Sequence, residues 1–253
     1  MIEVRGLYKS FGGVEVLHDI NATFAKGQVS QIIGKSGSGK SVLAKCVIGL
    51  YPPTQGEVLY DGRSFQGMDK DERRQLRQEI GMLFQSSALF DSLTVLENVM
   101  FPLRMFATMS EKEMRERADL CLKRVKIEGS DNKYPAEISG GMQKRVGIAR
   151  AIAMNPKYLF VDEPNSGLDP QTSIVIDELI REITDEYNTT TVVITHDMNS
   201  VMGIADRIFF ISQHRLQWQG SRGELLKSNN AELNAFIFAG SLMREVRKAM
   251  KEE

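Results

Sequence analysis

The 253-residue chain is long enough for one large α/β domain with a subdomain and can bury a sizeable core. Its 42% hydrophobic and 26% charged residues are ordinary for a globular protein, and 32 Lys+Arg against 33 Asp+Glu leave a net charge of −1, which argues against nucleic acid as the main partner. Cys46 and Cys121 lie too far apart in sequence for metal or redox spacing, Met1 to Arg5 lacks the apolar core of a signal peptide, and no apolar run reaches the roughly 18 residues of a membrane span, so a cytoplasmic location is expected, with any membrane role through a partner.

Ile2 to Phe24 alternates short apolar stretches with turns at Gly12-Gly13 and Lys26-Gly27, which predicts three or four short antiparallel strands. Val29 to Ile33 then reads as a buried strand and Val42 to Ile48 as a helix. Between them, Gly34-Lys35-Ser36-Gly37-Ser38-Gly39-Lys40-Ser41 fills every fixed position of the phosphate loop G-x-x-x-x-G-K-[ST]. The glycines let the backbone turn tightly and aim N–H groups at an anion, and the helix N-terminus adds partial positive charge. Lys40 is expected to reach terminal phosphates and the Ser41 hydroxyl a magnesium ion. The pattern implies a nucleoside triphosphate, with Gly34, Ser36, Gly37, Ser38, Gly39, Lys40, Ser41 and Val42 as its binding set.

Further along, Tyr51 to Gly56 is a turn, Glu57 to Tyr60 a strand ending at Asp61-Gly62, and Ile80 to Phe84 another strand. Thr94 to Lys126 looks helical, with capping boxes at Thr94/Glu97 and Ser110/Glu113, so residues 86–150 read as a helical insertion. Within it, Ile138-Ser139-Gly140-Gly141-Met142-Gln143-Lys144-Arg145 precedes a helix to about Met154. Ser139 as cap and two glycines exposing N–H groups suggest a second anion site.

The apolar strand Tyr158 to Asp162 ends in two adjacent acids, Asp162 and Glu163. In an α/β sheet the ligand crevice lies at the carboxyl ends of the strands, which suits Asp162 to a magnesium shell and Glu163 to polarising the attacking water. Asp169-Pro170 opens a helix to about Tyr187, Thr191 to Thr195 is the next strand, and the order argues a right-handed βαβ crossover. Ile208 to Ser212 and Leu216 to Gln219 read as strands and Ser221 to the end as helices. The domain expectation is a single unit, 1–253, with a β/P-loop core at 1–85 and 151–220, a helical subdomain at 86–150 and C-terminal helices at 221–253.

Along nearly its whole length the chain resembles the nucleotide-binding subunits of ATP-binding cassette (ABC) transporters. Gly34 to Ser41 matches the Walker A loop, Ile138 to Gln143 resembles the signature, Tyr158 to Glu163 matches Walker B, and Ser166-Gly167-Leu168-Asp169 matches the D-loop. Gln85 sits at the Q-loop position, His196 at the switch histidine, and Phe11 where an aromatic stacks on adenine. The resemblance implies an α/β, P-loop NTPase fold of ABC-ATPase type, with a mixed-sheet core, an N-terminal antiparallel β subdomain and an inserted helical subdomain.

It also implies ATP hydrolysis with magnesium, and a head-to-tail dimer in which Ser139, Gly140 and Gly141 of one copy close over ATP held by the other. In that scheme Lys40, Gln85, Glu163 and His196 serve catalysis. Ser41, Gln85 and Asp162 hold the metal, and Asp169 joins the nucleotide set.

Val42 after Lys40-Ser41, Met82 to Phe90, Glu97 to Leu103 and Met142 in the signature look like the ATPases of Mla/MCE-type bacterial lipid transport systems. That likeness implies phospholipid transport, an MlaE-type permease at the cytoplasmic face of the inner membrane, and a periplasmic MCE protein reached through it. Leu89, Phe90, Leu93, Met100, Phe101, Met105 and Phe106 form the expected docking region. Asn165 departs from the family pattern and takes no role, and the mixed-charge tail from Ser241 is read as a solvated end or a clasp. A transporter for an amino acid, peptide or metal chelate is the alternative. A DNA-repair ABC protein would need a long coiled coil, and a small-molecule P-loop kinase would not carry the signature.

Overall fold

Apolar alternation at Ile2, Val4 and Leu7 is answered by Leu17, Ile20 and Phe24, all buried, and the two segments pair as one antiparallel hairpin, β1 (Ile2–Phe11) and β2 (Val14–Phe24). Gly12 (φ +55°) and Gly13 (φ +84°) supply the two positive-φ positions of the tight turn. The expected three or four strands are therefore two. Bulges within the strands, as well as the turn between them, break the alternation: the register shifts within β1, where Gly6 has φ +52° and its N–H donates to Asn21 Oδ1 at 2.8 Å.

The chain is seen in a computed structural model that describes residues 1–239, in two units. Elements are numbered along the chain.

In the first unit (1–25, 29–66 and 194 onward), β1 also pairs with β4 (Gln55–Tyr60), which turns into β5 (Arg63–Ser64), giving a four-stranded antiparallel sheet in the order β2-β1-β4-β5. β3 (Val29–Ile33), buried at every residue, runs parallel to β9 (Arg207–Ser212), and β9 pairs antiparallel with β10 (Arg215–Gly220). Strand β3 feeds helix α1 (Lys40–Val47). Ile33 and Phe210 pack with Val201 of α7 (Met198–Ile204), Leu225 of α8 (Arg222–Leu225) and Leu233 of α9 (Ala231–Ile237) in one apolar core. The tail from Ser241, read as a solvated end or a clasp, lies outside the described residues.

In the second unit (26–28 and 67–193), β6 (Ile80–Leu83) pairs parallel with β7 (Tyr158–Asp162), and β7 neighbours β8 (Thr190–Ile194). Helix α6 (Pro170–Tyr187) links β7 to β8. Helix α2 (Lys70–Gln78) was not anticipated. Leu76 is its one buried residue, so it carries no apolar stripe, and the capping box of Asp69 with Glu72 starts it.

The single helical stretch expected from Thr94 is two helices, α3 (Val95–Phe106) and α4 (Glu111–Arg124). Both predicted capping boxes are true N-termini, and Ala107 leaves the helix with extended backbone (φ −90°, ψ 150°). The signature helix α5 (Gly140–Ile152) follows, its last carbonyls at Ile152 and Ala153 held by Arg117 at 2.9 Å.

Asn98, fully buried, accepts from Phe90 N at 2.8 Å and donates to the carbonyls of Phe90, Leu93 and Thr94, which fixes the loop before α3. Among the described residues no helix is long and apolar enough to cross a membrane.

Candidate nucleotide site

Strand β3 delivers the chain straight into the phosphate loop, and the loop needs its glycines. Gly34 has φ +150°, and a Cβ there would lie 2.2 Å from Ile211 O. Gly39 has φ +104°, and a Cβ would meet Val16 O and Leu17 Cδ2 at 2.8 Å. The outer positions Lys35, Ser36 and Gly37 are exposed, while Ser38 is buried with no hydrogen-bond partner for its Oγ. Lys40, 7% exposed, donates its ammonium to Gly34 O at 2.9 Å and Lys35 O at 3.0 Å, so it ties the loop into a ring from inside.

Helix α1 begins on Gly39, with no side-chain cap and no acidic residue in its first turn. Every other α-helix among the described residues begins on a side-chain oxygen that accepts from its own first turn. An uncapped helix N-terminus leaves its first-turn N–H groups without a side-chain acceptor and favours negative charge, which suits it to an anion. Ser41 stands exposed in its first turn and Val42 is half-buried beside it.

Also in the first unit, Phe11 is 41% exposed at the end of β1 and meets Tyr51 edge to face, with centroids 5.3 Å apart. Tyr8, another aromatic on β1, packs edge to face with His18, with ring centroids 4.8 Å apart. His196 is exposed and follows Thr195, whose N–H donates to Ile32 O at 3.1 Å and whose Oγ1 accepts from Asp197 N at 3.0 Å. His214 sits at φ +65° in the β9–β10 turn, with Nδ1 3.0 Å from Val16 O. It lines a cavity of about 400 Å³ with Lys35, Ser38 and Glu232, a grouping from distant segments that no local motif announces.

The second unit gathers the acids and the signature. Asp162 is buried at the end of β7. Glu163, half-buried, has φ +47°, a left-handed backbone that costs a non-glycine residue about 1–3 kcal/mol. Ser166 N donates to Glu163 O at 3.2 Å, and Asn165, assigned no role from sequence, donates to Asp177 Oδ1 of α6 at 3.1 Å. Asp169 caps α6, accepting from Thr172 N at 3.0 Å and Thr172 Oγ1 at 2.6 Å. Those hydrogen bonds hold its carboxyl below the usual range.

Ser139 likewise caps its own helix, accepting from Met142 N at 3.3 Å. Gly140 is open, but a Cβ at Gly141 would lie 2.7 Å from Thr172 Cγ2, so this second glycine serves the close approach of α5 to α6 as well as any display of its N–H. Gln85 is exposed after β6, and Lys144 of α5 donates its ammonium to the Gln85 carbonyl.

Among the described residues no cluster of three or more His, Cys, Asp or Glu is gathered to hold a metal. Magnesium commonly binds through one or two carboxylates together with substrate phosphates, and a buried Asp162 fits that use.

The ABC transporter family model matches residues 17–166. The chain is similar to the "Probable ribonucleotide transport ATP-binding protein mkl" of Mycobacterium leprae, at 37% identity over 236 residues, covering 93% of this chain and 68% of that one. It is similar to the methionine import ATP-binding protein MetN 1 of Rhodococcus jostii, at 41% identity over 237 residues, covering 92% and 70%. In three dimensions it resembles the ATP-binding cassette MJ0796 in a dimeric, post-hydrolysis state bound to ADP and phosphate. The TM-score is 0.80 at 35% identity, over 87% of this chain and 98% of that one.

Proposed function

The chain belongs to the ABC transporter family as an ATP-binding, ATP-hydrolysing subunit, and from that premise we propose that two copies, paired head to tail, drive a membrane permease from its cytoplasmic face. The observation that carries nucleotide binding is the uncapped start of α1 inside the Gly34–Ser41 loop. Lys40 holds the loop closed and presents a fixed positive charge to the phosphates. Glu163 polarises the attacking water. Magnesium, when bound, neutralises phosphate charge, and Asp162 is the carboxylate proposed for it. His196, Gln85 and Phe11 keep the roles the family resemblance implies.

The proposed docking surface for the permease is an apolar groove of about 400 Å³ in the second unit, lined by Met82, Phe84, Phe90, Phe101, Phe106 and Arg150. Of the expected docking residues, Phe90, Met105 and Phe106 are exposed at 42%, 54% and 41%, whereas Met100 is spent on the core. Phe90 packs on Phe101, with centroids 4.5 Å apart, beneath the Arg150 guanidinium. Phe90→Asp replaces the apolar ring by a charged, hydrated carboxylate beside Arg150 and should weaken permease capture by at least about tenfold while ATP affinity stays within about twofold. Pull-down beside a nucleotide titration checks it, and loss of ATP binding in the variant defeats the assignment.

The proposed cargo is a lipid, supported by Val42, Met142 and the Met82–Phe90 sequence, with an MlaE-like permease and an MCE protein as partners. The relatives named for ribonucleotide transport and methionine import support a second reading, a nucleotide or amino-acid permease. Affinity purification of the tagged chain from native membranes in mild detergent, with mass spectrometry of what accompanies it, separates them. An MlaE-like permease with an MCE protein and phospholipid supports the first, a solute permease supports the second, and chromosomal or ribosomal partners overturn transport.

A further inference from the structure

Lys144 is 5% exposed, an ammonium with three donors and no acceptor, buried in the second unit. Its Nζ donates to Gln85 O and, at 3.2 Å, to Glu163 O. Those two carbonyls belong to segments 78 residues apart in sequence, so one side chain ties the end of β6 to the residue after β7. Burial pushes the ammonium's pKa down, and the neighbouring Asp162 and Glu163 push it back up, which keeps a cation tenable there.

At the Glu163 end the bond acts on a strained residue. Glu163 has φ +47°, and the next residue is Pro164, which has no N–H. The peptide between them can therefore be gripped only by its carbonyl oxygen, which Lys144 Nζ and Ser166 N both hold. Fixing that plane fixes the direction in which the Glu163 side chain leaves the backbone.

The Gln85 end is held by the same helix face. Lys144, Gly147 and Arg150 recur every three residues along α5. A Cβ at Gly147 would meet Leu83 Cδ1 at 2.6 Å, so the helix lies directly on β6. Arg150 donates to Ser87 O and Ala88 O, both at 2.7 Å, where both residues have positive φ. The segment after β6 is thus fastened to α5 at two points, and Lys144 extends the attachment to the acid.

We infer that Lys144 is a positioning residue for Glu163, a strut that sets the carboxylate from α5 and carries a displacement at Gln85 to it. This rests on the reading of Glu163 as the group that polarises water.

Single-turnover ATP hydrolysis and nucleotide affinity are measured on the full chain and on its Lys144→Met, Lys144→Gln and Glu163→Gln variants, and on the Lys144→Met/Glu163→Gln double variant. A catalytic group misplaced by about 1 Å can lose about 100-fold, so Lys144→Met should slow hydrolysis by about 10–100-fold with ATP affinity within about twofold. Lys144→Gln, which keeps an N–H donor but no charge, should recover much of the rate, and the double variant should be no slower than Glu163→Gln alone. A folded Lys144→Met within about twofold of wild type overturns the strut, as does a Lys144→Gln no faster than Lys144→Met, or a further loss in the double variant.

Should Lys144→Met fail to fold, Lys144→Ala takes its place: a slowed rate at unchanged affinity that Lys144→Gln partly restores supports the strut, and a wild-type rate in a folded Lys144→Ala overturns it. If Glu163→Gln loses activity while Lys144→Met keeps it, the strut alone falls. If Glu163→Gln keeps a wild-type rate, the reading beneath it falls too.

Discussion

Glu163→Gln is expected to lower steady-state hydrolysis by about 10²–10⁴-fold, the range a positioned base contributes, while ATP binding survives. The substitution is nearly isosteric and keeps the half-buried side chain's shape. Glu163 O, the atom that meets Lys144 and Ser166, belongs to the backbone and is untouched. With hydrolysis blocked and nucleotide held, the paired state should accumulate. Size-exclusion chromatography with ATP and magnesium, alongside a phosphate-release assay, reads both effects. A variant that stays monomeric with ATP bound argues against a shared site, and one that hydrolyses normally removes Glu163 from the chemistry.

Lys40→Ala should act one step earlier and abolish useful ATP affinity, by about 100-fold or more. The lysine does two jobs at 7% exposure: it brings a positive charge to the loop and ties Gly34 O to Lys35 O. Its removal forfeits the charge-assisted contact and leaves two carbonyls without that donor, each loss being about 1–3 kcal/mol. Isothermal titration with a non-hydrolysable ATP analogue checks the outcome. Because the side chain also shapes the loop, the melting temperature without nucleotide should fall as well. Unchanged affinity would mean that the loop holds its anion through backbone N–H groups alone.

The parts of the molecule legible in sequence were those written locally. The phosphate loop, the caps at Thr94, Ser110, Ser139 and Asp169, and the proline at the first position of α6 each depend on residues within a few positions, and each stands where it was read. Helix α2 escaped because its signal was a cap without a stripe: Asp69 and Glu72 start a helix that buries only Leu76. The β1–β2 hairpin was over-divided because a bulge and a turn both interrupt a period of two, and only pairing tells them apart.

Gly141 was read as exposing an amide, yet its approach to Thr172 depends on tertiary packing. Lys144 gave no local signal at all, since its carbonyl partners lie 59 and 19 residues away.

The uncapped start of α1 makes nucleotide part of the architecture as well as the fuel. The other described α-helices are closed by oxygens the chain supplies itself, whereas α1 is proposed to take its closing oxygens from the phosphates of the nucleotide. By mass action, a ligand at 100 times its dissociation constant adds about 2.7 kcal/mol to the folded state, a sizeable share of the roughly 5–15 kcal/mol by which domains are stable. A cell rich in nucleotide therefore keeps this protein sturdier than a nucleotide-free preparation does, and each empty interval of the cycle is also an interval of lowered resistance to unfolding.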